Sequence, residues 1–401
     1  MKKLCYIIAG LLMLASCSND GPEENTRREP HKIVLSEQQN IQKENANRFA
    51  FKVWDSLSEN REDANMAFSP LSLYQCLSML ANGAEGESLS QIRQLLGATD
   101  NSSIAEINDF NKFLFSELPK VDPAVKLSLA NAVWAKSGIE IFPEFSALCN
   151  DYFNAKVFAG ADADKMTYDI NRWCAEKTNG MITNFLDNGE QADNVNILSA
   201  NYFESPWAVP VDKSLTEPMT FHNLSGTTPS VPMMKLACGG YLTDKALVIT
   251  IGYANLGYRM TVFFPHEGVS LKEAMTDEVL GAINSGNYTD YRQVELRMPK
   301  FTTDFDSRNM LDILKACGFT ATGQFTLITP ATSQLSTVRQ KIRVEVSEEG
   351  TKAASVSDAG LGVTAPMPEV PMTIVLDRPF GYTISEVSTG AILFMGRVTE
   401  L

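Results

Sequence analysis

The order of two periodic patterns along the chain constrains its fold more than any other feature of the sequence. Apolar residues at helical spacing dominate the first half, as in Phe49, Val53 and Leu57, whereas apolar residues that alternate with polar ones recur towards the end, as in Ile342 and Val344. No Pro/Gly/Ser-rich linker or repeat interrupts the chain after residue 38. We therefore predict one large α+β domain rather than alternating βα units.

The predicted elements follow this order. Ser69 followed by Pro70 is a typical helix start, because serine caps and proline suits the first turn. Helices are expected over 38–59, 70–83, 88–96, 103–117, 144–153, 165–178, 270–284 and 307–317. Strands are expected over 247–253, 259–264, 294–298, 342–346, 372–376, 382–386 and 392–398.

The N-terminus has the pattern of an export signal. Lys2 and Lys3 precede a short apolar run that ends in Leu-Ala-Ser-Cys17, which resembles the bacterial lipobox. We expect a signal peptide over 1–16, lipidation of Cys17, a flexible polar tether over 17–37 and the folded domain over 38–401. The protein is then a bacterial outer membrane lipoprotein, at the cell surface or in the periplasm, with membrane contact through the lipid only. The alternative is an ordinary signal peptide with a chance cysteine.

The composition argues against several classes of function. The chain has three histidines and carries no GxSxG elbow, HExxH helix or phosphate-binding GxxxxGK[ST] loop, so we expect no catalytic residue, metal or cofactor. A net charge of −14 argues against nucleic acid as a partner. Five cysteines remain beyond the N-terminal pair, in apolar surroundings and without CxxC spacing, so we expect buried free thiols: Cys76, Cys149, Cys174, Cys238 and Cys317.

An unusual segment follows the predicted strand 342–346. About twenty residues after Gly350 are small and weakly polar, with no bulky aromatic side chain. If this segment became a strand, one face would present Thr351, Ala353, Ser355, Ser357, Ala359 and Leu361, none of them charged, while Lys352 and Asp358 would lie on the other. Two charges sort this way by chance about half the time, so the pattern permits insertion into a sheet but also fits a flexible surface loop.

Several motifs, in order, identify the chain as resembling the serpin family over residues 38–401. Glu-Glu-Gly-Thr-x-Ala-Ala after an alternating strand resembles the hinge of an inhibitory reactive-centre loop. The other similar segments are Asn65–Leu73 with Leu77–Ala84, Leu129–Trp134, Ile170–Trp173 with Thr178–Ile182, Asn201–Phe203 with Trp207, Met298–Phe301, Asp377–Phe380 and Ile392–Val398. The resemblance implies about nine helices around three β-sheets, with an exposed reactive-centre loop, in a monomer.

The resemblance also implies a function and a set of site residues. The resemblance is to inhibitory serpins, which are not enzymes but suicide inhibitors: a protease cleaves the loop, which then inserts into the central sheet and traps the acyl-enzyme. The hinge residues implied here are Glu348, Gly350, Thr351, Ala353, Ala354 and Ser355. The residues implied to latch the sheet are Ser69, Ser72, Asn201, Gln340, Trp207 and Lys300, with Gln340 in place of the histidine of many relatives.

The family's usual hinge length places the cleaved bond at Thr364–Ala365. Counting back from Asp377 instead gives a bond about four residues later. Thr364 after Val363 suits elastase-like or subtilisin-like serine proteases, and Val363 could also suit a papain-like cysteine protease. The alternative function is that of a non-inhibitory serpin, a carrier or structural protein, although such members usually have bulky or charged residues on the inward hinge face.

Overall fold

A computed structural model describes residues 28–60, 64–98, 103–162, 164–187, 192–284, 291–307, 310–330, 335, 338–351 and 371–401. Nine α-helices lie within these residues. They are α1 Glu37–Asn60, α2 Pro70–Gly83, α3 Gly86–Leu95, α4 Ile104–Glu117, α5 Pro143–Phe153, α6 Met166–Lys177, α7 Leu271–Ala274, α8 Asp277–Asn284 and α9 Met310–Ala316. None of the described helices is both long and apolar enough to cross a membrane.

Fifteen strands complete the described part of the fold. They are β1 Met66–Phe68, β2 Lys126–Lys136, β3 Ala155–Ala161, β4 Val195–Glu204, β5 Glu217–Thr220, β6 Ser230–Leu242, β7 Ala246–Tyr253, β8 Tyr258–Pro265, β9 Tyr291–Pro299, β10 Phe301–Ser307, β11 Gln340–Ser347, β12 Gly350–Thr351, β13 Met372–Val375, β14 Phe380–Glu386 and β15 Ile392–Val398. The mixture of early helices and late antiparallel strands confirms the predicted α+β class.

The strands form three sheets. The largest has the order β1-β15-β14-β8-β7-β6-β9-β13, with β5 also paired to β6. The other two contain three strands each, in the orders β3-β2-β4 and β10-β11-β12. Helix α2 is buried along most of its length and packs against β4 of one small sheet and against β15 of the large sheet.

The helices begin and end within three residues of their predicted bounds, with one exception. The segment 270–284, predicted as one helix, is split into α7 and α8. A capping box between Ser270 and Glu273 starts α7, and Met275 then leaves the helical region with ψ 85°. The Thr276 hydroxyl accepts a bond from the Val279 N–H and so begins a second helix.

The N-terminal residues pack onto the domain earlier than the sequence indicated. Ile33 is buried in the core, its N–H donates to Ser388 Oγ at 2.9 Å, and the His31 N–H donates to the Val121 carbonyl at 2.8 Å. Residues 31–36, predicted as part of a flexible tether, therefore lie against the domain because Ile33 offers enough apolar surface to hold them there. Residues 1–27, including Cys17, fall outside the described residues.

Candidate functional site

A gap separates β4 from β11, the facing edges of the two small sheets. Within the described residues these strands form no ladder with each other, and β12 occupies only one end of the space between them. There Thr351 pairs with Val346 of β11 and forms a bridge to Ser205, the residue after β4. Because neighbouring strands lie about 4.8 Å apart, the gap at this level is one strand wide, about 10 Å from edge to edge.

Gly350 and Thr351 sit in the entrance of this gap, an arrangement we call the hinge seat. The Thr351 N–H donates to the Ser205 carbonyl at 3.1 Å, and the Ser205 N–H donates to the Thr351 carbonyl at 3.0 Å. The Thr351 hydroxyl lies 2.5 Å from the Tyr253 hydroxyl, and the whole side chain is only 4% exposed. The predicted start of the hinge is thus already built into the sheet.

Gly350 is required by the geometry of the seat. Its φ is +125°, and a Cβ at this position would lie 2.1 Å from the Ser205 carbonyl oxygen. A side chain would therefore meet backbone atoms in a conformation that L residues rarely adopt. Only glycine lets the chain turn at this point and place Thr351 between Ser205 and Val346.

Three of the predicted residues surround the seat. The Trp207 indole stacks on Tyr253 at 4.8 Å, and its N–H donates to the Ser347 carbonyl at 2.8 Å. Lys300 Nζ lies 2.9 Å from Glu348, whose side chain is only 6% exposed, and Thr216 Oγ1 donates to the same carboxylate at 3.0 Å. Burial opposes ionisation of Glu348, but these bonds outweigh it and lower the pKa of its carboxyl.

A second ion pair, between Lys213 and Glu349, lies next to the seat and was not predicted from the sequence. Lys213 Nζ bonds to Glu349, and Ser347 Oγ donates to the same carboxylate at 2.7 Å. The bond from Lys213, followed by that from Ser347, lowers the pKa of Glu349 from its ordinary value of 4.5 to about 2. Both acidic residues before Gly350 are therefore tied to the sheet, Glu348 through Lys300 and Glu349 through Lys213.

The predicted latch residues meet lower in the gap, at the start of α2. The Ser69 N–H donates to Gln340 Oε1 at 3.0 Å, and Gln340 Nε2 donates to the Ser69 carbonyl at 2.9 Å. Asn201 Nδ2 donates to Ser69 Oγ at 3.3 Å. Ser72 Oγ donates to the Ser199 carbonyl at 3.3 Å. These bonds attach β4 and β11 to α2 rather than to each other.

Two buried polar atoms of β4 have no hydrogen-bond partner within the described part of the chain. They are Asn201 Oδ1 and Ser199 Oγ, on neighbouring inward positions of the strand. A buried polar atom without a partner costs about 1–3 kcal/mol. The edge of β4 that faces the gap is thus polar and unsatisfied where it passes over the latch.

Apolar side chains make up most of the lining at the far end of the gap. A cavity of about 160 Å³ opens there between the first residues of β4 and the residues before β11, above α2. Its lining includes Leu80 and Cys76 of α2, Val195 and Ile197 of β4, and Val338. This end can take up apolar side chains of modest size.

The remaining predicted site residues lie outside the described residues. They are Ala353, Ala354 and Ser355 of the hinge, and Thr364 and Ala365 of the predicted cleaved bond. The site also contains four residues that the sequence did not indicate: Tyr253, Ser205, Lys213 and Thr216. Their pairing with residues 348–351 is long-range, and no local pattern marks it.

The five predicted free thiols are confirmed as free, and none resembles a reactive site. Burial raises the pKa of Cys76, Cys149, Cys174 and Cys238 to about 12. Burial also raises the pKa of Cys317. High thiol pKa values mean little reactive thiolate at neutral pH. Within the described residues no group of three or more His, Cys, Asp or Glu side chains could hold a metal ion.

Comparison with known proteins gives a consistent result. A family model described as "Serpin (serine protease inhibitor)" matches residues 44–401. Ipis-1 of Ixodes persulcatus is 31% identical over 376 residues, which cover 88% of this chain and 97% of that protein.

Known structures agree with the sequence matches. The thermophilic serpin Tengpin in its native state aligns with a TM-score of 0.80 and 26% identity, covering 92% of this chain and 96% of Tengpin. Human thyroxine-binding globulin in complex with thyroxine aligns with a TM-score of 0.80, covering 90% of this chain and 99% of that one; at 24% identity this match shows the fold alone. The chain belongs to the serpin family.

Proposed function

We propose that this serpin is a suicide inhibitor of serine endopeptidases, rather than an enzyme. The protease cleaves the segment that follows Thr351, and that segment then inserts between β4 and β11. The observation that carries the proposal is the hinge seat, in which Gly350 and Thr351 already occupy the first two positions of a strand between β4 and β11. The small uncharged residues that follow on the same face fit the narrow space ahead of them.

The register of the seat determines where each later residue would go. Because Thr351 pairs with Val346 and with Ser205 in antiparallel fashion, an extended strand places Ser355 between Ile342 and Asn201. Ser357 then falls between Gln340 and Ser199. Their inward hydroxyls would reach the two strand positions that bear the unsatisfied Asn201 Oδ1 and Ser199 Oγ.

The same register fills the apolar end of the gap. Ala359 falls opposite Ile197, and Leu361 falls opposite Val195, beside the cavity of about 160 Å³. The sequence of the segment therefore changes from polar to apolar where the lining of the gap does. This match along the inward face supports insertion more strongly than the absence of charge alone.

The chemical step that we propose is acyl transfer. The protease serine oxygen attacks the Thr364 carbonyl, the Thr364–Ala365 peptide bond breaks, and Ala365 leaves as a protonated amine while Thr364 remains as an ester. Insertion of about fifteen residues then moves that ester about 50 Å towards the far end of the gap. New backbone bonds at about 1 kcal/mol each stabilise the product, so the loop-out state is kinetically trapped.

The targets that we propose are elastase-like or subtilisin-like serine proteases, with papain-like cysteine proteases as a second class. The test is to incubate the domain with one protease of each kind and with trypsin, then run denaturing gels and sequence the released peptide. A complex of summed mass and a new N-terminus at Ala365 are expected. If the loop is cleaved but none of the four proteases forms a complex, a non-inhibitory carrier would be favoured.

We also propose that Cys17 carries a lipid and anchors the serpin to the bacterial outer membrane, at the surface or facing the periplasm. The packed N-terminal residues indicate which end of the domain lies nearest the anchor. Pro30 lies beside Gly257, in the turn that follows Tyr253 of the hinge seat. Ten residues lie between Cys17 and Arg28, and the eleven Cα–Cα steps, at about 3.5 Å each, reach at most about 40 Å. The anchor would then hold the loop-bearing end near the membrane. Labelled palmitate should enter the wild type but not Cys17→Ser.

A further inference from the structure

A second groove, separate from the gap, lies between α1 and α3. Its volume is about 850 Å³, within the range of about 300–1,000 Å³ typical of small-molecule sites. It shares no lining residue with the cavity of the gap. Its walls combine basic side chains with an apolar floor, and nothing in the proposed inhibitory mechanism uses them.

Arg48 and Lys52 provide the positive charge of the groove. They lie one helical turn apart on α1, both exposed and both on the wall that faces α3. Neither has a carboxylate within 4.0 Å among the described residues, and Asp277 acts on Arg48 only at longer range. Arg93 of α3 lines the opposite wall.

Asn45 fixes the position of Arg48. Its Oδ1 accepts a bond from Arg48 Nη2 at 2.7 Å, while its Nδ2 donates to the Gly97 carbonyl at 2.9 Å. The buried Asn45 side chain therefore ties α1 to the chain segment after α3 and orients the guanidinium above the groove. Oriented donors bind an anion at a lower entropy cost than free surface side chains do.

The charge of the groove is opposite to that of the whole protein. The chain contains 48 acidic and 34 basic residues, yet no described lining residue is acidic. Asp100, the nearest acid along the chain after α3, falls outside the described residues. Two like charges four residues apart on a helix repel each other and destabilise it, so an anion bound between Arg48 and Lys52 would relieve that repulsion.

The floor of the groove is apolar. Phe49 and Leu95 are buried beneath it, Leu89 is half-buried, and Ile41 is 44% exposed at the end of the groove near the start of α1. An inorganic ion would leave this surface in contact with water. A ligand that covers it while its charge reaches Arg48 must be amphiphilic.

We propose that the α1–α3 groove binds a small amphiphilic anion, with its acidic head on Arg48 and Lys52 and its hydrocarbon chain across Leu89 and Ile41. The free molecule in solution is the occupant that we infer, because the groove has the volume of a small-molecule site. The site is independent of loop insertion. Failure of protease inhibition would leave this proposal unaffected.

The experiment measures binding of decanoate to the intact domain by calorimetry at 0.15 M salt. Decyltrimethylammonium tests the same chain with the opposite charge, and inorganic phosphate tests a head without a chain. The groove variant is Arg48→Gln with Lys52→Gln, and the matched control is Lys112→Gln with Lys245→Gln, two exposed lysines that do not line the groove. A third variant, Leu89→Asp, keeps both cations and places a carboxylate on the floor.

We expect saturable one-to-one binding of decanoate that weakens at least tenfold in the groove variant and in Leu89→Asp, and that is unchanged in the control. The unfolding midpoint of each variant establishes that it is folded. If the double variant Arg48→Gln with Lys52→Gln is unfolded, the binding measured with Leu89→Asp tests the proposal. The proposal is overturned if decyltrimethylammonium binds as tightly as decanoate. It is also overturned if phosphate alone does so, or if the groove and control variants bind alike.

Discussion

Replacement of Thr351 by arginine tests the hinge seat directly. The wild-type side chain is 4% exposed, and its hydroxyl meets the Tyr253 hydroxyl at 2.5 Å beneath the Trp207 ring. An arginine kept in the seat would be a buried charge without a partner, which costs about 3–5 kcal/mol. If it leaves the seat, the two backbone bonds to Ser205 and the bond to Tyr253 are lost, at about 1 kcal/mol each.

Either route places a cost of about 3–5 kcal/mol on the first step of insertion. At 1.36 kcal/mol for each factor of ten, insertion slows by about two to three and a half orders of magnitude. The fate of the acyl-enzyme depends on whether insertion outruns deacylation. We therefore expect Thr351→Arg to be cleaved and released as a substrate.

The assay titrates a fixed amount of active elastase-like or subtilisin-like protease with increasing amounts of serpin and reads the residual activity. Wild type should reach full inhibition near one molecule per protease, and Thr351→Arg should need at least tenfold more. Thr351→Val is the matched control, since it keeps the size and loses only the hydroxyl bond, worth about 1 kcal/mol or fivefold. Equal stoichiometry for Thr351→Arg and wild type would refute this account of the seat.

Three further predictions follow from the same site. Gln340→Ala removes both bonds to Ser69 and should lower the free energy of unfolding of the native form by about 2 kcal/mol relative to wild type, measured in denaturant. A change below about 0.5 kcal/mol would contradict the latch. Glu349 has a pKa lowered from 4.5 to about 2, so the stability that its ionised form contributes is complete above about pH 4.5 and is lost as the pH falls towards 2. Between pH 4.5 and pH 2 the unfolding midpoint of Glu349→Gln should therefore fall less steeply with decreasing pH than that of wild type. Parallel plots of midpoint against pH for the two proteins would exclude the ion pair with Lys213. Ser357→Ala should lower the stability of the loop-cleaved form by about 1 kcal/mol and leave the native form unchanged, whereas equal effects on both forms would argue against the extrapolated register.

The elements that sequence reasoning predicted well are those with one buried face. Helix α1 has buried and exposed positions at helical spacing, and strand β11 alternates between buried and half-buried positions, so periodicity finds both. Strands β2 and β4 are buried along most of their length and show no alternation, because α6 covers their outer face. Only the resemblance to serpins indicated them.

The residues of the site also divide into those that a local sequence pattern indicates and those that it does not. Glu348, Gly350 and Thr351 belong to a local motif, and Ser69 and Ser72 begin a helix that has its own start pattern, so the sequence could mark them. Their partners come from distant strands: Tyr253 lies 98 residues from Thr351, and Lys213 reaches Glu349 from a short turn. A single sequence carries no local signal for such pairs, and they became evident only from the pairing of the strands.

The measurement that tests the central claim most directly is hydrogen exchange on the loop-cleaved protein. Cleavage at Thr364–Ala365 should be followed by strong protection of amides along the facing edges of β4, from Val195 to Asn201, and of β11, from Ile342 to Val346. We expect exchange there to slow at least a hundredfold relative to the native form, because a new strand bonds to both edges. Unchanged exchange at both edges after complete cleavage would contradict insertion of the loop into the gap.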